Sequence, residues 1–149
     1  MNGLFRRLEA EVPGARAQGW IADREGVFHE ARRGFGGQAR TVDRLIDDPA
    51  FRNAERIGWI TAVKSHGDGA GALAIRKLLE QLDDAGADVV GLIVLPDDDA
   101  YVPRLLSYYR RFEFEPIADG ADDYPIMARR GRASRDYRRS RHSAYGGGW

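Results

Sequence analysis

The chain has no cysteine among its 149 residues, which excludes disulfides and thiol nucleophiles and fits a reducing compartment. It also lacks any apolar run near the roughly 18 residues of a membrane span, and no leader-like segment is visible at its start. A cytoplasmic protein without membrane contact is therefore expected. Net charge is absent too, with 23 basic against 23 acidic residues, so the chain as a whole is no polyelectrolyte. The balance hides an asymmetry: from Ala128 onward seven arginines face Asp136 alone, which puts a basic arm on an acidic body. With 43% hydrophobic residues, one domain with a packed core is affordable, over residues 1–130, followed by an Arg/Gly-rich tail over 131–149.

What is present centres on the stretch from Arg56 to Leu82. Ile57 to Val63 is rich in β-branched and aromatic residues and predicts a mostly buried strand. Ile75, Leu78, Leu79 and Leu82 recur at helical spacing and predict an amphipathic helix. Between them, Gly67, Gly69 and Gly71 alternate with other residues, so the backbone can turn tightly and present bare N–H groups at the helix start, where phosphate binds well. Gly86 reads as the C-cap, and Val89 to Leu95 as a second buried strand, parallel to the first if the two are neighbours.

The flanks are read as follows. Residues 3–11 predict a short helix with Leu4, Phe5 and Leu8 on one side, stopped at Pro13-Gly14. GWIA and VFHEAR, either side of Asp23-Arg24-Glu25-Gly26, predict a hairpin. Thr41 is the expected N-cap of a helix carrying Val42, Leu45 and Ile46 and ending near Pro49. Pro96 to Asp99 is expected to be a turn, Pro103 to Phe112 a helix, and 114–118 with 124–129 a final pair of strands.

Three ligand classes suit a glycine-rich strand-to-helix turn. A nucleotide P-loop requires Lys-Ser or Lys-Thr after its last glycine, and Ala72-Leu73 stands there instead. A dinucleotide fingerprint fits Gly67-x-Gly69-x-x-Ala72, but only one βαβ unit is evident. The third class is the diphosphate of coenzyme A. The order strand, Gly turn, helix, strand, Pro-Asp turn, Tyr-bearing helix, strand, strand over about residues 57–129 resembles the GNAT acyltransferase superfamily. His66-x-x-Gly69-x-Gly71 is similar to its signature, with His66 where Arg or Gln is usual. Tyr109 and Phe114 match its Tyr-x-x-x-Gly-Phe, with Glu113 at the glycine.

The resemblance implies an α/β fold with a GNAT-like mixed central sheet and helices on both faces. It also implies acetyl-CoA as cosubstrate, no metal, and an amine acceptor that attacks the thioester directly. In that register, backbone amides at Ala62 and Val63 would hold the pantetheine arm. Those of Gly67, Gly69, Ala70 and Gly71 would hold the diphosphate, with His66 at the place of the signature's Arg or Gln as part of that site, and Tyr109 would protonate the leaving thiolate. A rival expectation is a non-catalytic GNAT-like module, docked by its tail into a ribonucleoprotein or a virus particle. The arginines of Arg129 to Trp149, interleaved with Tyr137, Tyr145 and Trp149, are the expected contact for nucleic acid or a protein assembly, including further copies of the chain.

Overall fold

The computed structural model describes residues 3–34, 37–66, 69–95, 102–120 and 124–132. Six strands form one mixed sheet: β1 (Phe5–Val12), β2 (Ala15–Ala22), β3 (Ile57–Ser65), β4 (Val89–Ile93), β5 (Glu115–Asp119) and β6 (Pro125–Arg130), in the spatial order β1-β2-β3-β4-β6-β5. Only β3 and β4 are parallel neighbours; every other adjacent pair is antiparallel. The helices are α1 (Arg24–Arg33), α2 (Ala39–Arg44), α3 (Ala70–Asp84) and α4 (Val102–Arg110). No helix among the described residues is long and apolar enough to cross a membrane.

Each face of the sheet has its own core. On one, Ala74, Ile75, Leu78, Leu79 and Leu82 of α3 pack on Ala17, Ile60, Val90 and Leu92, with Leu105, Tyr108 and Tyr109 of α4 at the margin. On the other, Val27 of α1, Val42 of α2 and Phe51 close over Trp20, Trp59, Ile57 and Val89. The expected α/β sheet with helices on both faces is therefore what the chain forms. The parallel β3-α3-β4 unit was legible because strands buried on both faces need continuous apolar runs. Helix α3 ends as its sequence foretold. Gly86 takes φ 89, its N–H reaches the Asp83 carbonyl at 3.0 Å, and that of Ala87 reaches Leu82 at 3.0 Å, the paired bonds of a Schellman turn.

The first third departs from expectation. Residues 3–11, read as a helix, are mostly strand β1: Leu8, Ala10 and Val12 share the α3 face with period two, while Phe5 packs on the opposite core. The hairpin is β1-β2, closed at Pro13-Gly14 with Gly14 at φ 86. VFHEAR, read as a strand, lies in α1 because Asp23 is an N-cap, its Oδ1 accepting from the Gly26 N–H at 2.7 Å. Thr41 is not a cap either: it sits inside α2, whose N-cap is Gln38 in the left-handed region at φ 62. The expected strand 124–129 is present as β6. Arg129 belongs to β6 and pairs with Asp83 at 3.2 Å, both side chains nearly buried, and Arg132 pairs with Asp84. Residues 133–149, including the expected Tyr137, Tyr145 and Trp149 contacts, lie outside the described residues.

Candidate active site

Strand β3 is the element on which the site depends. Its register with β2 slips at Gln18/Gly19, where Gln18 faces Ala62 but Gly19 faces Ile60. Thr61 is therefore the extra residue of a β-bulge, and side chains beyond it swap faces: Trp59 points to the α1-α2 core, whereas Val63 packs on the α3 side. Gly19 makes room for this, since a Cβ there would lie 2.2 Å from the Trp59 carbonyl oxygen. The bulge is tied on both sides. Thr61 Oγ1 donates to the Gln18 carbonyl at 3.1 Å, and Gln38 Nε2 donates to the Thr61 carbonyl at 3.5 Å. Gln38 Oε1 in turn accepts from the Trp59 indole at 2.6 Å.

The bulge coincides with the end of the parallel ladder. Strands β3 and β4 pair only from Ile57↔Val89 to Ile60↔Leu92, while β3 continues to Ser65 with β2 as its only strand partner among the described residues. Over Ala62 to Lys64, alternate backbone groups thus have no strand partner on the β4 side among the described residues, a gap that suits an extended ligand. Ala62 and Val63, both half-buried, lie in this segment.

At the far end of the gap is the start of α3. Its N-cap, Gly69, has φ 79 and supplies no side-chain cap, and the first turn holds no acidic residue. Among the described residues the N–H groups of the first turn thus have no side-chain cap, a helix start that suits an anion. Gly71 is buried beneath them, and a Cβ on it would come within 3.5 Å of Ser65 Oγ and 3.7 Å of the Tyr108 hydroxyl. Ser65, Gly71 and Tyr108 thus converge at this point. Tyr108 has no functional signal in the sequence, since its position next to Tyr109 on a helix gives no sign that its hydroxyl reaches the glycine turn. His66 is exposed, and its backbone N–H donates to the Gly14 carbonyl at 2.7 Å, so that amide already has an internal acceptor. Gly67, together with Asp68, lies outside the described residues.

Tyr109 sits on α4 with its ring against Tyr108 at 5.4 Å and Phe114 at 6.2 Å. Burial, with a smaller contribution from Tyr108, raises its phenol above the ordinary 10.0, so it stays protonated at neutral pH and can donate. Burial raises Tyr108 as well, opposed by the nearby Arg111 and Arg76 charges. The Tyr-x-x-x-Gly-Phe spacing has a mechanical meaning here. The Phe114 N–H reaches the Tyr109 carbonyl at 3.4 Å and that of Glu113 reaches Arg110 at 3.0 Å, while Glu113 adopts φ 72. This is a second Schellman turn, with the tyrosine and phenylalanine as its apolar contact and Glu113 at the left-handed position that glycine prefers. Glu113→Gly is accordingly expected to stabilise the fold by about 0.5–1 kcal/mol, the relief of left-handed strain exceeding the added unfolded-state entropy. Urea unfolding midpoints would check it; a lower midpoint in the variant would contradict the turn assignment.

On the opposite face of the sheet, a cleft of about 300 Å³ lies over β1 and β2 and reaches β3 at Thr61, lined by Phe5, Arg7, Glu9, Gln18, Trp20 and Thr61. The bulge is thus the wall between the gap on one side and the cleft on the other.

No protein-family model matches the chain, and no curated protein matches it in sequence. Solved structures do. A mutant agmatine N-acetyltransferase in its apo form superposes with a TM-score of 0.52 at 14% identity, over 78% of this chain and 69% of that one. The fold is GNAT-like. A Drosophila melanogaster polyamine N-acetyltransferase that forms N-acetylagmatine matches with the same score and the same coverage, 78% and 69%, at 15% identity. In this GNAT-like frame the parting of β3 from β4, the uncapped start of α3 and the Schellman turn behind Tyr109 all fall on one face of one parallel unit.

Proposed function

We propose that the chain is an acetyl-CoA-dependent N-acyltransferase, acting on an amine held in the Thr61 cleft. The observation that carries this reading is the β3 segment Ala62 to Lys64, which has no strand partner on its β4 side among the described residues, beside the N-terminus of α3 with no side-chain cap. An acyl thioester with a long polar arm and a diphosphate needs both: strand-like hydrogen bonds for the arm and bare amides for the anion. The residues fit that shape. Ala62 and Val63 would hold the arm, and the first-turn amides of Gly69, Ala70 and Gly71 the diphosphate, with the Tyr108 hydroxyl as a further donor. Gly71 is the point at which Ser65 and the Tyr108 hydroxyl come close to those amides.

When bound, the thioester supplies an activated acyl carbon, and the protein's part is to align a neutral amine with it from the cleft side. Tyr109, whose phenol burial raises, is assigned the proton donor to the departing thiolate, and the proton that the amine nitrogen loses on forming the amide returns to the phenol through solvent, so the step balances. No covalent bond to the enzyme is required. The test is thermal unfolding with acetyl-CoA: at about 100 times its dissociation constant the ligand should stabilise the fold by roughly 2.7 kcal/mol. Absence of any shift at millimolar acetyl-CoA would leave the fold as a packing module without a donor site.

A further inference from the structure

The two faces of the sheet carry different chemistry at the bulge, and the cleft face shows a charge imbalance. Arg7, Trp20 and Trp59 form one cross-strand row, and Glu9, Gln18 and Ala62 the next, with Thr61 inserted between the rows on β3. Phe5 and Trp20 give the cleft an apolar wall, their rings 4.9 Å apart. Glu9 is already neutralised by Arg16, whose Nε lies 3.2 Å from its carboxylate. Arg7 is exposed at the rim, and no acidic group among the described residues pairs with it. Among the described residues the cleft therefore offers one cation without a counter-charge, two strand spacings, about 10 Å, from the bulge. A guanidinium in that state binds a planar carboxylate through paired hydrogen bonds.

We propose that the acceptor is an amine that also carries a carboxylate, an amino acid or a similar zwitterion, with its carboxylate held by Arg7 and its amine directed toward Thr61. This rests on the acyltransferase reading for the cleft's role, but not for its ligand preference. The preference sets the chain apart from the two superposed enzymes, whose acceptors in name are agmatine and polyamines, amines without a carboxylate.

Equilibrium binding to the full chain, by calorimetry without any acyl donor, decides it. L-Arginine and agmatine differ by one carboxylate, as do L-phenylalanine and phenethylamine, so each pair isolates the Arg7 contact. In each pair the carboxylate member is expected to bind about tenfold tighter. Arg7→Gln should erase the difference and Arg7→Lys should restore part of it, with circular dichroism confirming that both variants fold. Equal binding within the pairs, tighter binding of agmatine or phenethylamine, no binding by any of the four, or a preference that survives Arg7→Gln would overturn the proposal. The two readings fail separately: preference without acetyl transfer removes the acyltransferase, whereas transfer without preference removes the carboxylate site.

Discussion

Gly19→Ala is expected to destabilise the protein by about 3 kcal/mol and to disable the donor gap as well. The position is half of a two-residue device. The added Cβ would stand 2.2 Å from the Trp59 carbonyl oxygen and 3.2 Å from its carbon, and a backbone carbonyl cannot rotate away as a side-chain tip would. Either β2 retreats from β3 or the bulge at Thr61 flattens. Retreat would break antiparallel pairing on both sides of Gly19 and loosen the Trp20-Trp59 stack, now 6.4 Å between rings. Flattening would restore regular alternation, which turns Val63 out of the α3 core. Both routes are costly, and both alter the edge that faces the gap. Thr61→Ala is the comparison: it removes one hydrogen bond to the Gln18 carbonyl and should cost only about 1 kcal/mol. Urea unfolding of the two variants separates the effects, and a loss below about 1 kcal/mol for Gly19→Ala would show that the strands tolerate the clash.

The bulge also marks the limit of what could be read from the chain. The β3-α3-β4 unit is written in local signals: apolar runs, a glycine turn and a helical stripe, each decided within a few residues. The Tyr109 to Phe114 turn is local too, and it forms with Glu113 at φ 72 because its two backbone bonds and the buried Phe114 offset the cost of the left-handed residue. The bulge is different. It depends on which β2 residue faces which β3 residue, and Gly19 carries no mark of its partner, so a glycine made necessary by a cross-strand carbonyl looks like any other. The same reason hid the N-terminal hairpin. Leu4, Phe5 and Leu8 mimic a helical stripe, whereas the pattern that matters, Leu8, Ala10 and Val12, contains a small alanine that period counting undervalues. Asp23 was misread through a competing signal: Asp-x-x-Gly suits a turn and an N-cap equally, and the helix prevails because Val27 and Ala31 bury against the sheet. The acceptor cleft was not legible at all, since Arg7, Gln18 and Thr61 meet only through register.

The second large effect is expected at the start of α3, where Ala72→Glu should remove acetyl-CoA binding while leaving the fold at least as stable as before. Ala72 is the third residue of the helix after the Gly69 N-cap, the position from which a glutamate reaches back to the cap N–H. A carboxylate there also faces the positive end of the helix, a contribution of about 0.3–1 kcal/mol in favour of folding. For a bound diphosphate the same carboxylate is a like charge and a competitor for the amides. At a separation of about 6 Å and an effective dielectric of about 20, one pair of like charges costs about 2.8 kcal/mol, a loss of about a hundredfold in affinity. Fold and binding thus move in opposite directions, which no general destabilisation can imitate. Ala72→Gln separates charge from size, keeping the reach but not the repulsion, and should retain most of the affinity. Thermal unfolding of the three proteins with and without acetyl-CoA reads both quantities at once. If Ala72→Glu binds acetyl-CoA as tightly as the parent does, the diphosphate lies elsewhere, and the uncapped turn from Gly69 to Gly71 is only the beginning of a helix.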